Sequence, residues 1–182
     1  MRSRRLGATV AATVALAATA VLVIPASASA LTIRADRYRV TQLGHFHPAG
    51  NPDLAHAIHA FGKPTGRHHH NSGCLVRWRK LKLRIDFENF GGHDPCSKKG
   101  RAQSFTIGFE KRWRTSRHLR VGQSVERLKD RYRHARRHGS EYWLKSAYSP
   151  FGTGTHYAVL AARTHHLRFV SGFSGRIGGA GE

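Results

Sequence analysis

A chain of 182 residues with a formal charge of +21 has room for one ordinary domain or two small subdomains, and a charge that turns away basic partners. Hydrophobic residues make up 40% of it, yet beyond residues 1–30 no apolar run is long enough to cross a bilayer as a helix. The charge favours phosphate- or carboxylate-bearing surfaces such as nucleic acid, anionic lipid or acidic wall polymers. An arginine-, alanine- and glycine-rich composition is also what GC-rich coding produces.

Residues 1–30 begin with Arg2, Arg4 and Arg5, continue through an alanine- and valine-rich run, and end on Pro25 and Ala28-Ser29-Ala30. That is the order of a secretory signal peptide with an A-x-A cleavage site, and it places the mature protein outside the cell or in its envelope. The run Leu6–Ile24 is also just long enough to serve as an uncleaved anchor, but its many alanines and threonines make it weakly apolar. With no cysteine after it, a lipoprotein anchor is excluded.

Residues 31–50 form a lead-in in which Leu31–Arg34 and Tyr38–Thr41 read as short strands. A helix follows, with Asn51 as N-cap, Pro52 at its first position, Leu54, Ile58 and Phe61 on one face, and Gly62 and Pro64 as stop signals. A linker, Lys63–Gly73, carries His68, His69 and His70. From Cys74 to Phe87 apolar residues alternate, but the parity flips after Arg79-Lys80. A hairpin pairing Trp78 with Leu81, Val76 with Leu83 and Cys74 with Ile85 would do this, as would a β-bulge in one long strand. Arg-Lys lacks the glycine or asparagine that a two-residue turn prefers.

Beyond the polar loop Ser97–Arg101, Phe105, Ile107 and Phe109 mark another strand. Lys111–Arg120 is a basic connection containing Trp113. A second helix opens on Ser124, carries Val125, Leu128, Tyr132 and Ala135 on one stripe, and ends at Gly139. Strands over Tyr142–Ala147, Thr155–Ala162 and Leu167–Phe173 close the chain, separated by Pro150–Gly154 and the turn Arg163–His166. Residues 177–182 are a glycine-rich tail.

Residues 51–110 and 111–176 thus repeat an order of helix and strands. The expected fold is α+β: two tandem helix-plus-antiparallel-strand repeats forming a sheet with both helices on one face. The phrase LRVGQSVERLKDRY, at 119–132, and the pattern Trp78, Leu81, Leu83, Phe87 resemble small bacterial envelope modules. These include the barrel-assembly lipoprotein domain and the tandem β-lactamase inhibitor proteins of actinomycetes. The resemblance implies a protein that binds other proteins and catalyses nothing; no inhibitory contact residue carries over.

An export signal and two cysteines predict a Cys74–Cys96 disulfide, whose loop of about 23 residues restricts the unfolded chain by roughly 3 kcal/mol. Among 14 histidines, His56 and His59 have i, i+3 helix spacing and His68, His69 and His70 run together, which makes them metal-ligand candidates against the plainer reading of a solvated basic surface. Asp86 and Glu88 share one strand face, where Arg77, Lys82 and Arg84 are the expected ion partners. No nucleophile elbow, phosphate loop or dinucleotide fingerprint occurs, so neither a cofactor nor catalysis is expected; an uncharacterised hydrolase is the enzymatic alternative.

The basic stretch is the better lead. Arg112, Trp113, Arg114, Arg127, Arg131, Arg133 and Arg137 are expected to form an anion-binding surface, with the tryptophan as a stacking plane. Arg163, Arg168 and Arg176 are expected to be generic surface charge. The function expected is that of a secreted, disulfide-bonded, non-enzymatic binding module, monomeric and without a membrane span once cleaved. Its partner is an unknown protein or an acidic envelope polymer rather than a specific nucleic-acid sequence.

Overall fold

The computed structural model describes residues 30–50, 52–71, 73–89, 92–148 and 155–178. The expected signal peptide up to residue 29, the expected cap residue Asn51, the Pro150–Gly154 separator and residues 179–182 of the tail lie outside them. Two strands open the described chain, β1 (Leu31–Ala35) and β2 (Val40–Leu43), followed by helix α1 (Leu54–Phe61). Strands β3 (Gly66–His70), β4 (Gly73–Trp78), β5 (Leu83–Glu88), β6 (Arg101–Ile107) and β7 (Trp113–Thr115) come next. Helix α2 (Val125–Arg131) then leads into β8 (Arg136–His138), β9 (Glu141–Tyr148), β10 (His156–His165) and β11 (Phe169–Arg176).

Eight of the strands form one antiparallel sheet in the order β3-β4-β5-β6-β11-β10-β9-β8. The other three form a small sheet, β2-β1-β7, in which β1 and β7 run parallel. This corrects the expected α+β arrangement, because the molecule is mostly β and its helices do not form a layer on one face. The helices have 8 and 7 residues. At that length each spans roughly 12 Å, against about 34 Å across eight strands. The small sheet supplies apolar surface that the helices cannot: Ile33, Val40, Leu43 and Trp113 join Trp78, Leu83, Phe105 and Phe173 in one buried cluster.

The central hairpin forms in a different register from the one expected. Trp78 pairs with Leu83, Val76 with Ile85 and Cys74 with Phe87, while Arg79–Leu81 make a 3₁₀ turn. Lys82 closes it at φ 50. Without a glycine or asparagine for a two-residue turn, the chain spends four residues and one left-handed position. The six side chains facing the core are therefore Cys74, Val76, Trp78, Leu83, Ile85 and Phe87, all buried.

Asp53, rather than Asn51, caps α1, accepting from the His56 amide at 2.8 Å. The Leu54 and Ala55 amides are taken by the carbonyls of Gly100 and Lys98 at 2.9 and 3.1 Å, so the loop before β6 completes the cap. Ser124 caps α2 as expected, but the helix ends at Arg131. Arg136–His138 pair with β9, and Gly139, at φ 60, makes the intervening turn rather than ending a helix. Cys74 and Cys96 are bonded, with α-carbons 5.2 Å apart. No helix among the described residues is long and apolar enough to cross a membrane.

Candidate functional site

Because Val76, Trp78, Leu83 and Ile85 face the core, strand alternation turns Arg77 and Arg84 to the opposite face of the large sheet. They are direct cross-strand partners, and the row continues through Thr106 on β6 and Ser174 on β11. Neighbouring members stand about 4.8 Å apart across the strands. Like charges directly opposite one another destabilise a sheet, so this pairing works against the fold. The turn adds Arg79 and Lys82 at the end of the same hairpin.

The fifth cation arrives from β10. Arg163 pairs with Gly172 on β11, and its Nη2 donates to the Ile107 carbonyl at the end of β6 at 2.6 Å. The guanidinium thus lies over β11 where that strand has no side chain. A Cβ at Gly172 would collide with the Ile107 carbonyl oxygen and with Arg163 itself. Arg163 Nε is buried and has no hydrogen-bond partner. Burial pushes the Arg163 pKa down, Glu141 opposes that shift through space, and Arg84 adds to it. A guanidinium keeps its proton regardless, so the shift expresses the cost of holding this cation where it is.

These five cations, with Trp78, Leu83, Thr106 and Gly108, line a cleft of about 410 Å³. No described carboxylate is among its lining residues. A second depression of about 300 Å³ shares Arg77 and Arg79 and extends toward Arg67 and His68 on β3. Gly172→Ala is expected to cost about 1–3 kcal/mol through overpacking and to weaken anion binding by displacing Arg163. Thermal unfolding and retention on an anionic matrix, measured together, check both.

The residues expected to form the anionic-ligand surface are placed otherwise. Arg112 is paired bidentately with Glu110, Nε to Oε1 at 3.0 Å and Nη2 to Oε2 at 3.1 Å, and it also donates to the Lys80 carbonyl at 2.8 Å. The Arg112 hydrogen bond holds the Glu110 carboxyl below its ordinary range. Trp113 is fully buried and its Nε1 donates to the Leu81 carbonyl at 2.9 Å, so it offers no stacking plane. Arg114 is half-buried on β7, Arg127 exposed on α2, and Arg133 lies beyond the helix end. The Arg131 carbonyl accepts from Arg117, and Arg137, on β8, donates to the Gly139 carbonyl. The seven are distributed over β7 and the residue before it, α2 and the segment after it, and β8, and Trp113, being buried, belongs to no surface. Arg163, expected to be generic, sits in the cleft, whereas Arg176 stacks on Tyr157 with its guanidinium carbon 4.8 Å from the ring centroid.

His68, His69 and His70 lie on the exposed edge strand β3, where alternation points His69 away from its neighbours. His70 pairs with Asp86 at 2.9 Å, in place of the expected arginine and lysine partners. His69 stands 3.7 Å from Asp94, beside Cys96, whose sulfur is committed to the disulfide and cannot act as a thiolate ligand. His56 and His59 lie elsewhere, on α1.

A glycine inside an apolar strand, as in Val170-Ser-Gly-Phe, was the available signal for the close approach at Gly172. What it could not identify was Arg163 as the side chain that uses it. Compared with known proteins, the chain matches no protein-family model, no curated protein and no solved structure.

Proposed function

We propose that this protein is an exported, non-enzymatic anion-binding module, and that the cleft on the outer face of the large sheet holds its ligand. Arg163 carries the reading. A buried guanidinium nitrogen without a partner is rare in folded proteins and costly to maintain. Nε is closed to solvent in the cleft, so an anion that turns the guanidinium toward itself supplies the missing bond, in a partly dehydrated site where charge acts more strongly than in bulk water. Arg77, Arg79, Lys82 and Arg84 surround that position, and the repulsion between Arg77 and Arg84 is relieved when an anion lies between them.

The ligand class is a phosphate- or carboxylate-bearing polymer of the envelope. The Arg77–Arg84–Thr106–Ser174 row offers donors at successive strand spacings along which such a chain can lie. Export is supported by the disulfide, which belongs in an oxidising compartment. It is supported also by Leu31, which pairs with Trp113 at the first residue after the A-x-A motif, so the described sheet begins where cleavage would leave the chain.

The test compares Arg77→Gln with Arg84→Gln against an Arg127→Gln, Arg131→Gln, Arg133→Gln control, using a single-stranded oligonucleotide as a phosphodiester probe. The cleft pair should lower the slope of log affinity against log salt by about 1–2, near 0.7 for each phosphate that is no longer neutralised. Unfolding free energy should move by about 0.5 kcal/mol or less for each exposed arginine. Equal weakening by both sets would make the charge generic. Salt-insensitive capture of an envelope protein through the same arginines would instead favour protein docking.

A further inference from the structure

A third depression, of about 290 Å³, lies away from the cationic cleft and is lined by His45, Phe46, His47, Gly50, His56 and His59. Two elements build it. In the turn after β2, the Leu43 and Phe46 backbones exchange hydrogen bonds of 2.9 and 3.0 Å, and the Phe46 ring is buried edge-on against Phe61, centroids 6.0 Å apart. With Phe46 pointing inward, His45 and His47 are left exposed on either side of it. Helix α1 buries Leu54 and Ala57, leaving His56 and His59, three positions apart, exposed on its other side.

Asp53 adds the feature that turns a histidine-rich surface into a candidate site. Its Oδ1 lies 2.7 Å from His56 Nδ1 while also capping the helix. A carboxylate on Nδ1 fixes the imidazole tautomer, makes the ring a better donor, and leaves Nε2 free to bind a metal. No three of the four histidines yet bring ring nitrogens within 4.8 Å of one another. All four are exposed and line one depression, so their rings can turn toward a common ion without disturbing the core. We propose that His45, His47, His56 and His59 bind a borderline divalent transition ion, zinc being the first choice, and that the site closes on capture of the ion. An all-imidazole donor set selects zinc, nickel or copper over magnesium or calcium. With a chain charge of +21, ligation rather than charge attraction has to hold the cation.

The experiment titrates Zn²⁺ into the untagged, disulfide-bonded mature protein by calorimetry, with Mg²⁺ as a competitor. One Zn²⁺ per chain is expected, undisturbed by Mg²⁺. His56→Gln with His59→Gln should abolish it. Asp53→Asn, which keeps a good helix cap, should weaken it about 10–100-fold with unchanged circular dichroism. His68→Gln, His69→Gln, His70→Gln should bind as the unaltered chain does. Absence of binding, displacement by Mg²⁺, or loss in the β3 triple but not in the α1 pair would overturn the site.

Discussion

Trp113→Ala is expected to lower the unfolding free energy by about 3–5 kcal/mol, against about 5–15 kcal/mol for a whole domain. The indole is completely buried and packs edge-on against Phe61 at 6.4 Å. Its Nε1–H bond to the Leu81 carbonyl ties β7 of the small sheet to the central hairpin of the large one. Alanine therefore opens a cavity between the sheets and orphans the Leu81 carbonyl. Trp113→Phe keeps most of the packing and loses only the hydrogen bond, so a smaller loss of about 1–3 kcal/mol is expected. Urea unfolding measures both variants. A change below about 0.5 kcal/mol for the alanine variant would belong to an exposed residue and would contradict the placement.

Removing the disulfide comes next in size. Cys74→Ala with Cys96→Ala should cost about 3 kcal/mol from the loop-closure term and lower the melting temperature by about 10 °C. The bond joins buried β4 to the loop before β6, where Arg67 Nη1 donates to the Cys96 carbonyl at 3.0 Å and the Cys96 amide donates to Asp94 Oδ1 at 2.8 Å. Those two bonds survive in the variant and limit the loss. Reductant should lower the melting temperature of the parent protein by a similar amount and leave the double variant unchanged. A parent protein indifferent to reductant would show that the bond contributes nothing.

What the sequence made legible was local. Alternation identified most strands of the large sheet, Ser124 identified itself as a cap, and two cysteines behind an expected export signal named their own partner. The errors came from pairings made at long range. Tyr132 and Ala135 fit a helical stripe, but the backbone of Arg136–His138 gains more from bonding β9 than from extending α2, with His138 stacked on Trp143 at 3.6 Å. Trp113 sits in a strand of 3 residues, too short to show alternation, and its burial depends on β1 pairing from far earlier in the chain. Arg163 looked generic because its surroundings come from β6 and β11, which meet only once the sheet is complete.

The two outermost strands of the large sheet carry the sequences GRHHH and RRH, and every residue in both is exposed. An open strand edge is a template on which another chain can add itself, and repetition of that step builds a fibre. Here a second molecule approaching either border would have to bring its own Arg67, Arg136 or Arg137 against the same cations, so the sheet stops growing at eight strands. Part of the molecule's basic character thus acts toward its own kind, by disfavouring edge-to-edge pairing between copies of the chain.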